Sequence, residues 1–102
     1  MAVRNPSSLT VSAEAEQYRV RAVVRADGSS SPTVGRFELW RREAGDTGDG
    51  LRIAVLNAVG TSTRRNATHL DYFVRSGTEY EYRARATDSQ GGNVSGYSGW
   101  VR

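Results

Sequence analysis

A period of two in the apolar pattern constrains this chain more than any other feature. Between Tyr80 and Ala86, the residues Tyr80, Tyr82, Ala84 and Ala86 alternate with Glu81, Arg83 and Arg85. Successive side chains of an extended strand point to opposite faces, so this segment reads as a strand with one apolar and one charged face. Tyr18, Val20, Ala22, Val24 and Ala26 alternate in the same way with Arg19, Arg21 and Arg25. Phe37 and Leu39 share a parity opposite to Glu38 and Trp40, and the apolar run Leu51 to Val59 places Ile53 and Val55 on one parity. Leu9 and Val11 open the series, Thr68, Leu70, Tyr72 and Val74 suggest a further strand, and Val94 to Val101 a short last one. Together these make about seven strands. Ala13 to Glu16 is compatible with one helical turn, but nothing supports a helix of ordinary length.

The punctuation fits that count. Asp27-Gly28-Ser29-Ser30-Ser31-Pro32, Gly45-Asp46-Thr47-Gly48-Asp49-Gly50, Gly60-Thr61-Ser62-Thr63, Ser76-Gly77 and Gln90-Gly91-Gly92-Asn93 separate the strands. Short strands with turn signals at this spacing predict an all-β, seven-stranded antiparallel β-sandwich. The chain has 102 residues, the size of one domain, with no linker or repeat; a single domain over residues 1–102 is expected.

Composition removes several function classes. There is no cysteine, hence no disulfide scaffold, no thiolate zinc site and no cysteine nucleophile. His69 is the lone histidine, so no site can use two imidazoles. No apolar run reaches the length of a membrane-spanning helix, and Met1 to Pro6 has no apolar core of an export signal. All 14 basic residues are Arg, a bias that reads as high-GC codon usage or, alternatively, as selection for planar guanidinium contacts at an interface. The net charge of +3 is spread among 11 acidic residues, too weak a basic signal to expect nucleic acid as a partner.

The stretch Gly35 to Ser98 resembles fibronectin type III domains. Phe37-Glu38-Leu39-Trp40-Arg41-Arg42 is similar to that family's third strand, and Gly77-Thr78-Glu79-Tyr80-Glu81-Tyr82-Arg83-Ala84-Arg85-Ala86 to its passage into the sixth. Asp88-Ser89-Gln90-Gly91-Gly92-Asn93-Val94-Ser95-Gly96-Tyr97-Ser98 is similar to its turn into the last strand. The N-terminal third departs from the pattern, because Val20, Ala22 and Val24 stand where the family usually carries a Trp. The resemblance implies a fibronectin type III or immunoglobulin-like sandwich in which Tyr80 is a tyrosine-corner residue. Its hydroxyl would bond to backbone a few residues upstream, with Val74 beneath it. Tyr82 would occupy the position that carries a core cysteine in disulfide-bonded relatives of the fold.

Candidate chemistry is sparse. His69 and Asp71 are two apart and share a face, but no Gly-x-Ser-x-Gly elbow accompanies them, and a solvent-facing histidine beside an acidic strand residue is expected. Asp46-Thr47-Gly48-Asp49-Gly50 lacks the alternating ligands and distal Glu of a calcium loop and reads as a hairpin loop. Asn66-Ala67-Thr68 and Asn93-Val94-Ser95 match the glycosylation sequon by chance. No enzymatic activity, cofactor, metal, small-molecule substrate or membrane partner is expected.

Contact residues are a different matter. The parity of Trp40 turns it outward, beside Arg83 or Arg85 of the neighbouring strand. That face is either an Arg/Glu ladder covering the indole or a protein-contact face, since Trp and Arg are enriched at binding hot spots. Arg19, Arg21 and Arg25 form a basic stripe on the other sheet, expected to be solvated. The tail Tyr97 to Arg102 either pairs with a neighbouring chain, with Trp100 as its anchor, or closes its own sheet. The candidate partner contacts are therefore Trp40, Arg83, Arg85, Tyr97 and Trp100. Tyr80, Tyr82 and Val74 are expected to be structural. A small domain of this kind from a high-GC source also resembles domains of bacteriophage minor tail and decoration proteins, and Leu70 to Ala86 is similar to passages in tail proteins of actinobacterial phages. The resemblance implies a non-enzymatic virion module, assembled in the host cytoplasm, whose partners are other virion proteins and copies of itself. The alternative is a carbohydrate- or cell-surface-binding module, extracellular in place, using Trp40, Tyr97 or Trp100 to stack on sugar rings.

Overall fold

The computed structural model describes residues 8–27, 35–61, 64–75, 77–87 and 94–101, with backbone alone for Ser8, Asp27 and residues 94–97. Among these residues every regular element is a strand: β1 (Ser8–Glu16), β2 (Arg19–Asp27), β3 (Arg36–Glu43), β4 (Leu51–Asn57), β5 (Val59–Gly60), β6 (Arg64–Asp71), β7 (Tyr80–Thr87) and β8 (Val94–Tyr97). They form two antiparallel four-stranded sheets, in the orders β1-β2-β6-β5 and β4-β3-β7-β8.

The alternation sets which faces meet. Val11 of β1, Ala22, Val24 and Ala26 of β2 and Ala67 of β6 face Phe37 and Leu39 of β3 and Tyr82, Ala84 and Ala86 of β7 in one buried cluster. This is a sandwich-like all-β architecture, with its core between the sheets. Half of this cluster is alanine, so a few large side chains, Tyr82, Phe37 and Leu39, fill the space between the layers. Burying each is worth about 1.5–3 kcal/mol.

Four expectations change. Ala13 to Glu16 belongs to β1 rather than to a helical turn. Tyr18 is not on the buried face of β2; it sits in the β1–β2 turn with φ of 66°, and is 84% exposed. A two-residue connection between antiparallel strands needs left-handed backbone, and here a tyrosine supplies it. The run Leu51 to Val59 is not one strand. It leaves one sheet after Asn57, and Val59–Gly60 pairs with β6 in the other. Ala58, whose N–H donates to Gly35 O at 3.0 Å, is the crossing point. Periodicity cannot register such a switch, because both halves are extended.

The fourth change concerns β6. It runs from Arg64 to Asp71, and its inward residues are Ala67, His69 and Asp71 rather than Thr68, Leu70, Tyr72 and Val74. Tyr72 and Phe73 follow the strand and are exposed. An inward carboxylate carries no apolar signal, so the apolar residues of the opposite parity dominate the pattern. The turn signals at 28–34, 62–63, 76 and 88–93 lie outside the described residues.

Candidate functional site

Three features position the side chains that matter: one outer face, a buried tie between the sheets, and one end of the sandwich.

The outer face of the β4-β3-β7-β8 sheet carries Glu38, Trp40 and Arg42 from β3 and Glu81, Arg83 and Arg85 from β7. The register sets Glu38 opposite Arg85 and Trp40 opposite Arg83. Each of these groups is engaged by its own chain. Arg85 bonds to Glu38 and lies over the Trp40 ring at 5.2 Å. Arg52 of β4 reaches the other oxygen of Glu38 at 3.0 Å. Arg42 bonds to Glu81 at 3.0 Å, and Arg83 pairs with Asp49 at 3.6 Å. Trp100 receives two guanidinium groups, Arg42 at 4.0 Å and Arg83 at 4.6 Å from the ring centroid. Trp40 consequently retains only 9% of its surface. It points outward, as its parity requires, and is covered there.

The tail holds Trp100 in place. Val101 exchanges backbone hydrogen bonds with Tyr82 at 2.8 and 2.9 Å, and Ser98 N–H donates to Ala84 O at 2.7 Å. Trp100 thus rests on its own sheet. Gly50 shapes this contact: a Cβ there would stand 2.9 Å from the indole and 2.7 Å from Arg41 O, and its φ is +78°. The Tyr97 side chain lies outside the described residues.

At one end of the core sits a polar tie. Asp71, 1% exposed, closes β6. Its carboxylate accepts two hydrogen bonds from Arg41 Nη1 at 2.8 and 2.9 Å, one from Tyr82 Oη at 2.8 Å and one from the Phe73 N–H at 3.1 Å. Arg41 and Tyr82 belong to one sheet and Asp71 to the other, so the cluster joins the layers. Burial opposes ionisation of Asp71, but the bonds from Arg41, Tyr82 and Phe73 outweigh it and hold the carboxyl below its ordinary range. Burial, then the bond to Asp71, pushes the Tyr82 hydroxyl well above the usual phenol range. His69, expected from the sequence to face solvent, is instead half-buried, and the acidic residue of its pair, Asp71, is buried. The sequence does contain a trace of the tie: Arg41 has the parity of Phe37 and Leu39, where a cation needs a buried partner. Nearby, the Arg75 N–H donates to Tyr80 Oη at 2.9 Å, a bond to backbone five residues upstream. Val74 is half-buried and shares a surface hollow with Tyr80.

The same end carries exposed aromatic residues that sequence reasoning passed over as contacts. Tyr18 projects from the β1–β2 turn, and Phe73, after β6, is 86% exposed. Tyr72, 57% exposed, is held by Arg19, which donates to its hydroxyl at 2.8 Å and lies 5.7 Å from its ring centroid. Arg19 is in turn fixed by Glu16 at 2.7 Å. Arg19 and Arg21 of the basic stripe are both paired with glutamates of β1, so charge on that face is largely compensated.

Among the described residues no three His, Cys, Asp or Glu side chains gather as a metal site, and no helix is long and apolar enough to cross a membrane. Comparison of the chain with known protein families, curated proteins and solved structures finds no match.

Proposed function

We propose that this chain is a non-enzymatic interaction module with a fibronectin type III-like fold, making protein–protein contacts within a bacteriophage particle as a tail or capsid decoration protein. The strand orders support the fold assignment. β1-β2-β6-β5 against β4-β3-β7-β8 is the arrangement of immunoglobulin-like sandwiches, and Tyr80 bonds to upstream backbone as a tyrosine corner does. The phage setting rests on the likeness of Leu70 to Ala86 to tail-protein passages.

One observation carries the contact role: Tyr18 and Phe73, beyond the same end of the β2–β6 pair, stand largely exposed on a base fixed by Arg19 and Asp71. Aromatic rings on a rigid base are what interface hot spots are built from. The carbohydrate alternative has less support. The indoles of Trp40 and Trp100 that it would use are already stacked by guanidinium groups.

Particles purified from the host test the proposal. The chain is expected in them by mass spectrometry, and a Tyr18→Ala, Phe73→Ala double variant is expected to fold yet be lost from them. Particles lacking the chain contradict the virion role. A double variant that incorporates normally removes this end from the interface.

A further inference from the structure

The loop between β3 and β4 holds a motif that the contact role leaves unused. Asp49-Gly50 is an aspartyl-glycyl pair directly ahead of Leu51, the first residue of β4. The Asp49 side chain is 97% exposed, and its approach to Arg83 is a loose one of 3.6 Å. Carbonyl groups anchor this part of the loop: Gly48 O accepts from Arg42 at 2.8 Å and Asp49 O from Arg83 at 3.4 Å. Among the described residues no backbone acceptor engages the Gly50 N–H. Gly50 has no side chain to screen that nitrogen, and its φ of +78° is one that glycine adopts without strain. An exposed carboxyl and an unengaged main-chain nitrogen are therefore neighbours, outside both strands.

These are the reactants of a ring closure. The Gly50 nitrogen bonds to Cγ of the protonated Asp49 carboxyl. Its proton and the carboxyl's hydroxyl leave together as water, and a five-membered succinimide forms. Water then adds to either ring carbonyl. Opening at the original main-chain carbonyl leaves an isoaspartate, whose main chain runs through Cβ and Cγ and whose former main-chain carbonyl is a free carboxylate. One water is lost and one regained, so mass and charge are conserved, and no oxidant or reductant is needed.

The surroundings of the pair give the product a consequence. A Cβ on Gly50 would already stand 2.7 Å from Arg41 O and 2.9 Å from the Trp100 indole. An extra main-chain methylene directly before Gly50 finds no room there unless the loop moves off the ring. Arg83, one of the two guanidinium groups on Trp100, is held by Asp49 and shifts with it. We infer that Asp49-Gly50 is a modification site, converted in the folded chain to isoaspartate with water as the only co-reactant, and that the conversion uncovers Trp100.

Incubation of the purified chain at physiological temperature tests this, with circular dichroism to verify folding and peptide mapping after trypsin to locate the product. Cleavage at Arg42 and Arg52 releases the segment from Glu43 to Arg52, in which aspartyl and isoaspartyl forms of equal mass separate chromatographically. Electron-transfer fragmentation then assigns the position, which matters because Asp46 lies in the same segment and Asp27-Gly28 repeats the dipeptide. Isoaspartate is expected to accumulate at Asp49 in the folded wild type, and hydroxyl-radical labelling of Trp100 to rise in step while that of Trp40 stays constant. Asp49→Glu keeps the charge but would need a six-membered ring, so it is expected to abolish both changes. Asp49→Asn is expected to convert faster, with the mass gain of deamidation. Three results would each overturn the inference: no isoaspartate at Asp49 in the folded chain while a urea-unfolded sample forms it, conversion at Asp49 with Trp100 labelling unchanged, or an equal rise in Trp100 labelling in Asp49→Glu.

Discussion

The outer face of the β4-β3-β7-β8 sheet and the Tyr18 end both present aromatic side chains outside the core, and they treat them in opposite ways. On the sheet, Arg85 covers Trp40, while Arg42 and Arg83 flank Trp100, and carboxylates fix those guanidinium groups. At the end, Phe73 and Tyr18 stand largely bare. A ring already stacked by its own chain has little surface left to offer a partner. The difference teaches that outward direction is a property of strand parity, while availability depends on which long side chains lie nearby.

The base of the Tyr18 end is where a single change does most. Asp71→Ala strands Arg41 in a mostly buried position, and breaking a buried pair from one side costs about 3–5 kcal/mol. Denaturant melts measure it, and a loss below about 1 kcal/mol would mean the tie is ornamental. The same group predicts an acid limb. Its folded pKa is depressed, so its contribution is present above the unfolded value of about 3.9 and fades as pH falls through the folded value. Asp71→Asn is expected to flatten that limb in melts taken at decreasing pH.

Trp40→Ala sharpens the comparison from the other side. If the ladder is structural, removing a nearly buried indole costs about 3 kcal/mol. A cost near zero would return Trp40 to the contact candidates. Tyr80→Phe removes the hydroxyl that accepts the Arg75 N–H, for about 0.5–1.5 kcal/mol. Phe73→Ala should shift stability least, within about 0.5 kcal/mol, because its ring is exposed. Equal losses for Trp40→Ala and Phe73→Ala would erase the distinction between the two regions.

Much of the fold was legible because its main strands are half-buried. Ala22, Val24 and Ala26, Phe37 and Leu39, and Tyr82, Ala84 and Ala86 are inward as their alternation predicts. Legibility ended where polar groups turn inward. Asp71 and Arg41 look like surface residues to any apolar pattern, and their burial depends on meeting across two sheets from positions 30 residues apart. It ended again at β4 and β5, where the chain changes sheet without changing conformation. The contact candidates show the same limit. Parity placed Trp40 outward beside Arg83 or Arg85 and left open whether guanidinium groups cover it; the packed structure puts Arg85 over the ring, and the turn that exposes Tyr18 reads in the sequence as the start of a strand.

Hydroxyl-radical footprinting of the free chain tests the central distinction most directly, scoring each ring by its protection relative to the unfolded chain. The account predicts strong protection of Trp40, intermediate protection of Trp100, and little for Tyr18 and Phe73. Trp40 labelled as readily as Phe73 in the folded chain would contradict it, since the ladder face would then be open and the contrast between the two regions would not exist.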